Sequence, residues 1–266
     1  MRYRPFGRTG LQVSVVGFGC WPMAGDRYGA IEDDEAVKAI HRALDRGVNC
    51  VDTAPAYGAG HSEEVVARAL DKRRGEVLLV TKCGVKVPPP GQPGPLRDSS
   101  RANVLREIDA SLKRLRTDWV DVLLVHWPDA GTPFEETMRA LEDVVASGRA
   151  RFVGVSNFTG AMITECMRTR RIDVSQVGYH MFDRRQEQET FGTCLTTASA
   201  SWAMAPSVTA CSPAPSPRRR RSTPPTTGAP TAWHSVSRSS ARTISRRTSA
   251  WSSGSAARSP RRAARP

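Results

Sequence analysis

Four side chains capable of acid–base chemistry stand at or just beyond the ends of short apolar runs. VNCVD, residues 48–52, finishes on Asp52; VLLVTK, 77–82, finishes on Lys82; VDVLLVH, 120–126, finishes on His126. The loop after the first run delivers a tyrosine, Tyr57. A phenol has a pKa of about 10 and is a poor acid at neutral pH. A neighbouring ammonium favours the phenolate and lowers that value. An aspartate paired with the ammonium keeps it charged and oriented, and a histidine beside them can hydrogen-bond a carbonyl oxygen. Such a set suits delivery of a proton to an oxygen that gains negative charge as hydride reaches its carbon. Side chains do not supply hydride, so the set implies a cofactor. Taken singly, Lys82 reads as a snorkelling surface lysine and His126 as a satisfied strand-end histidine. It is the four together, at matched strand ends, that carry the reading.

Other polar residues fall at the same ends. Ser156 and Asn157 follow the run RFVGV, and Gln176 lies in DVSQVGY. Hydroxyl and amide groups of this kind can clamp a carboxamide such as a nicotinamide ring offers; in isolation they read as turn and cap chemistry. Trp21 and Trp127 can wall an apolar substrate pocket, or simply pack at the rim.

The elements that must position these groups follow from periodicity. A small hairpin is expected over residues 2–16, and VSVVGFGCW, 13–21, reads as the first fully buried strand and its exit. Glu32, Asp33 and Asp34 open a helix to about Arg46, with Val37, Ile40 and Leu44 on one face. Strands follow at 48–52, 77–82, 119–126, 149–158 and 173–179. Helices are expected at 62–70, from a cap at Asp98–Ser100 to Leu115, from Pro133 to Gly148, and over about 160–169. The Pro- and Gly-rich stretch 84–98 is a candidate substrate-side loop. Six strand–helix repeats, the last incomplete, require a parallel sheet with helices outside. A doubly wound sheet would carry a glycine-rich dinucleotide loop after its first strand, but GFGCWP is not GxGxxG. A barrel puts its chemistry at the C-terminal ends of several strands. The expected class is therefore α/β, a (β/α)8 TIM-barrel type that stops after about six strands.

The net charge of +13 suggests a nucleic-acid partner until it is divided along the chain. Residues 198–266 hold twelve arginines and no Lys, Asp or Glu, so the body is nearly neutral. Six scattered cysteines with no CxxC pair read as reduced thiols of a cytoplasmic protein. The chain has no apolar run of membrane-spanning length, and its basic first residues lack the features of a signal peptide.

The motifs GFGCW (17–21), NCVDTAPAYGAGHSEEVVARAL (49–70), LLVTKCG (78–84), VDVLLVHWPD (120–129), RFVGVSNF (151–158) and SQVGYHMFDRR (175–185) resemble those of the aldo/keto reductases. The likeness runs from about residue 2 to about residue 195. It implies a (β/α)8 barrel that uses NADPH, or less often NADH, to reduce a small carbonyl substrate. It implies Tyr57 as proton donor, tuned by Lys82 and Asp52, with His126 orienting the carbonyl. It also implies that Ser156, Asn157 and Gln176 hold the nicotinamide amide. YGAGHSE and DRR lean towards the bacterial and potassium-channel-β branch of that family.

Past Thr197 the text becomes Ala, Ser, Pro, Thr and Arg, and residues 198–266 are expected to be a disordered low-complexity tail appended to an incomplete barrel of 1–197. Reading each codon of residues 198–214 one base earlier permits G-I-G-V-M-G-Y-G-S-L-G-H-G-L-L-T-G, which resembles the family's next strand and loop. Two of those glycines are forced, across Trp202–Ala203 and Met204–Ala205. A one-base frame change near residues 192–198 is therefore expected. It would leave strands one and six with open edges and remove the loops after strands seven and eight, which the resemblance implies hold the cofactor's adenosine, giving a weakened, aggregation-prone enzyme. Two other readings remain beside the reductase: a noncatalytic barrel-like regulatory or partner-binding subunit, and a basic tail that binds nucleic acid nonspecifically.

Overall fold

A computed structural model describes residues 1–25, 29–86 and 96–204. Its centre is a curled parallel sheet. In spatial order the strands are β3 (Phe18–Gly19), β4 (Cys50–Asp52), β5 (Leu78–Cys83), β8 (Val120–Val125), β9 (Ala150–Ser156), β10 (Val174–Gly178) and β11 (Ala200–Met204). Every neighbouring pair is parallel. The helices α1 (Asp33–Asp45), α2 (His61–Leu70), α3 (Arg101–Leu115), α4 (Phe134–Ala146) and α5 (Gly160–Cys166) lie between successive strands in sequence. This is the expected alternation.

Strand periodicity sorts the core into two layers. Leu79, Cys83, Leu123, Val125, Val153 and Val155 pack outward against helix residues such as Ile40, Val66, Ile108 and Met138. The alternate residues Cys50, Leu78, Val80, Val122, Leu124 and Val174 form a second cluster on the inner face. Asp52 and Lys82 share the phase of Cys50 and Val80, so they belong to the inner layer. An antiparallel hairpin, β1 (Tyr3–Pro5) with β2 (Gln12–Ser14), brings Phe6 into that inner cluster.

Several expectations are corrected. The segment 13–21 is not one buried strand. Asn49 Oδ1 accepts from the Ser14 backbone N–H at 2.8 Å, and the Ser14 hydroxyl donates to the Val16 carbonyl at 2.7 Å. The chain bends there as it passes from hairpin to sheet, and Val15 and Val16 are left exposed. The helix expected over about 160–169 is α-helical only to Cys166. Two short helices, α6 (Gln186–Glu189) and α7 (Phe191–Thr197), carried no recognisable periodic face.

Beside the six strands read from the sequence, β11 pairs with β10 in register from Val174↔Ala200 to Gly178↔Met204. Strand six therefore has a neighbour. Pairing of this kind is made by backbone groups, so Ala-Ser-Trp-Ala-Met can do it without a run of aliphatic residues. Ala200 is buried in the inner cluster, and the Trp202 ring meets Phe6 edge-on at 6.3 Å. The described residues thus include seven past the boundary expected at 197. The expectations for residues 205–266, and for 87–95 of the candidate substrate-side loop, lie outside the described residues. On either side of residues 87–95, β6 (Val85–Lys86) and β7 (Leu96–Arg97) form a short antiparallel pair. Among the described residues no helix is long and apolar enough to cross a membrane.

Candidate active site

Three neighbouring strands deliver the acid–base set to one end of the sheet. Asp52 is the last residue of β4, Lys82 the penultimate residue of β5, and His126 follows β8 directly. Lys82 has no exposed surface. Its Nζ donates to Asp52 Oδ1 at 2.7 Å and to the Thr53 carbonyl at 3.0 Å, and lies 3.2 Å from the Tyr57 hydroxyl. Tyr57 and His126 meet edge-on, with ring centroids 5.7 Å apart. The four predicted residues are therefore brought together. Thr53 joins them through its main-chain oxygen, which gives no side-chain signal in a sequence.

Tyr57 opens a tight turn, Tyr57–Gly60, whose next three residues all have positive φ: 62° at Gly58, 52° at Ala59 and 98° at Gly60. Ala59 is strained there, since residues with a Cβ rarely adopt such backbone. Gly60 could not be replaced cheaply. A Cβ on it would stand 2.6 Å from Arg114 Cδ as well as being strained.

Electrostatics correct one expectation. The Tyr57 pKa is raised, not lowered: burial is the main cause, and the opposing pull of Lys82 is outweighed once Asp52 adds to the burial. Burial pulls the Lys82 ammonium down, yet Asp52 and Tyr57 overcome it and hold its pKa up at about 12. His126 is driven down to about 3, first by burial and then by the nearby Lys82 charge. At neutral pH the site holds a phenol, an ammonium and a neutral imidazole.

The second polar group lies one and two strands further along. Ser156 ends β9, and its hydroxyl is 3.4 Å from Gln176 Oε1 on β10; both residues are buried. Asn157 has φ 62° and turns its Nδ2 to the His126 carbonyl at 2.9 Å and to the Ser156 hydroxyl at 3.1 Å. Asn157 thereby ties this cluster to the group around His126. The two tryptophans part company. Trp21 stacks on Tyr57, with centroids 6.4 Å apart. Trp127 is 40% exposed and lies beneath the Arg97 guanidinium, 5.1 Å from its ring centroid. The described cysteines, Cys20, Cys50, Cys83, Cys166 and Cys194, are all buried and free.

Glu63 falls in the first turn of the helix expected at 62–70, with nothing local to mark it. It is fully buried and bonded on both oxygens: Thr81 donates to Oε1 at 2.6 Å and Arg114 Nε to Oε2 at 2.6 Å. Only a buried acid beside a strand end could have flagged it, and burial is not visible in sequence.

The family model described as "Aldo/keto reductase family" matches residues 15–205. An aldo-keto reductase of Bacillus subtilis, YhdN, is 35% identical over 190 residues, covering 71% of this chain and 56% of its own length. A probable voltage-gated potassium channel subunit beta of Arabidopsis thaliana is 36% identical over 200 residues, covering 72% and 59%. Among solved structures, the glycerol dehydrogenase of Gluconobacter oxydans superposes with TM-score 0.67 at 34% identity, over 73% of this chain and 60% of that one. An aldo/keto reductase of Klebsiella pneumoniae, solved with NADP and acetate, gives 0.63 at 30% identity over 74% and 65%. The chain spans less than two thirds of the length of these relatives. Matched over most of its own residues, and folded as the same curled parallel sheet with helices outside, the chain belongs to the aldo/keto reductase family.

Proposed function

We propose that the protein reduces an aldehyde or ketone to the alcohol with hydride from NADPH or NADH, and that Tyr57 donates the proton. The observation that carries this reading is the buried Lys82 ammonium, bonded at once to Asp52 and to the Tyr57 hydroxyl. Burial keeps the proton on the Tyr57 phenol at neutral pH. When that proton passes to the substrate oxygen, the phenolate left behind faces an ammonium 3.2 Å away. The charge created on the enzyme is therefore met where it forms, in a site of low dielectric. Asp52 balances the ammonium, and water returns the proton to Tyr57 after the alcohol leaves. A neutral His126 offers one ring N–H to the carbonyl oxygen and fixes which lone pair faces Tyr57. Trp21, stacked on Tyr57, supplies an apolar wall.

The Ser156, Asn157 and Gln176 cluster fits a nicotinamide carboxamide, because a hydroxyl and primary amides provide both donors and acceptors beside the His126 carbonyl. A bound dihydronicotinamide would supply the hydride. Affinity for the rest of the cofactor turns on residues 198–266. If these are out-of-frame text, as their composition suggests, NADPH binds more weakly than micromolar and the enzyme is impaired; quenching of tryptophan fluorescence by NADPH measures this.

The test of the reaction is NADPH oxidation with a panel of small aldehydes and ketones. Tyr57→Phe should lower kcat by about 10²-fold or more. Likeness to a potassium channel subunit favours a second reading, a regulatory partner-binding role, and unchanged carbonyl reduction by the Tyr57→Phe protein would favour it over catalysis by Tyr57.

A further inference from the structure

Glu63 is a fully buried carboxylate with no part in the chemistry above. Buried ion pairs are poor stabilisers, because desolvation offsets their attraction. What distinguishes this one is where its two oxygens lead. Oε1 accepts from Thr81, the residue immediately before Lys82 on β5. Thr81 points to the helix layer and Lys82 to the inner layer, so holding one fixes the height and tilt of the other. Oε2 accepts from Arg114 near the end of α3, and the Arg114 side chain lies against Gly60, the last residue of the turn that carries Tyr57. The neighbouring Ser62 extends the contact: its hydroxyl is 2.8 Å from that of Thr53, whose carbonyl accepts a hydrogen bond from Lys82.

We propose that Glu63 is a positioning residue that sets the separation of Lys82 and Tyr57, by tying β5 through Thr81 and the Tyr57 turn through Arg114. The inference rests on the reductase reading of that pair. The carboxylate bridges the two segments from behind, on the helix side of the sheet, while the ammonium and phenol meet on the inner side. Loss of either arm lets strand and turn move independently. The ammonium then stabilises the phenolate less as the proton leaves.

The experiment compares full-length parent, Glu63→Gln, Thr81→Val and Thr81→Ser proteins. Thr81→Val keeps shape but removes the donor, and serves if Glu63→Gln fails to fold; Thr81→Ser restores the hydroxyl. Glu63→Gln and Thr81→Val are expected to lower kcat about 10–100-fold with little change in KM. They should also move the alkaline limb of the pH–rate profile upward, since a more distant Lys82 lowers the Tyr57 pKa less. Thr81→Ser should restore both. Crystal structures of the variants should show Lys82 Nζ and Tyr57 Oη beyond hydrogen-bond distance. A reduced melting temperature with an unchanged pH profile and an unchanged Lys82–Tyr57 distance overturns the proposal. Absence of carbonyl reduction in the parent even at millimolar NADPH, which offsets weak cofactor binding, defeats the reductase reading instead, and the crystallographic distance still decides the positioning.

Discussion

Lys82 has no exposed surface, and burial by itself pulls its ammonium towards the neutral form. Asp52 reverses that pull, so Asp52→Asn should leave a buried cation without its counter-charge. A loss of about 3–5 kcal/mol of stability is expected, read as a lower denaturant midpoint. His126 makes a pH prediction with a definite sign. Its pKa falls from 6.5 to about 3 on folding, so between those values the unfolded chain binds the extra proton. Stability contributed by the buried neutral imidazole is present above pH 6.5 and declines as pH drops towards 3. Thermal melts should show this decline flattened in His126→Gln. In the same way, reduction should show no acid limb near pH 6–7 from His126; such a limb, abolished in His126→Gln, would contradict a neutral imidazole. The presence of Asp52, Lys82 and His126 was legible because strand ends announce themselves. The direction of the Tyr57 shift was not, because the sequence shows a lysine nearby but not the burial that outweighs it.

The turn after β4 and the strand β11 make their own predictions. Gly58, Ala59 and Gly60 stay left-handed in succession, and that path carries the Tyr57 ring back over Lys82. Gly60→Ala should cost about 1–3 kcal/mol through backbone strain and displace Arg114, with a loss of kcat if the turn shifts. Calorimetry and kinetics on the same preparation read both. At the other side of the sheet, Trp202 fills the space over Gly17 and meets Phe6. Trp202→Ala should destabilise by about 1–3 kcal/mol. Amide hydrogen exchange should find the ladder between β10 and β11 protected, and rapid exchange there would return strand six to an open edge. Amphipathic helices were readable from their three- and four-residue spacing. β11 was hidden because Ala and Ser carry no pattern; its place comes from the backbone of β10 and from the hairpin that Trp202 leans on.

For the molecule as a whole, one arrangement explains why acid–base groups far apart in the chain meet. Parallel strands all point the same way, so every strand end opens on the same face. Residue order along each strand then decides which groups face inward. That much is a matter of period-two alternation and strand direction, both written in local sequence, and so the curled parallel sheet, the helices α1 to α5 and the meeting of Asp52, Tyr57, Lys82 and His126 could be read from residues alone. Tertiary structure decided the rest. It converted Glu63 from a helix-opening acid into a buried tie between β5 and α3, turned Trp21 onto Tyr57 while leaving Trp127 on the rim, and added a seventh strand from text with no aliphatic signature. The physical reason is common to all three. Desolvation, close packing and strand pairing depend on neighbours that are distant along the chain, and no local pattern encodes them.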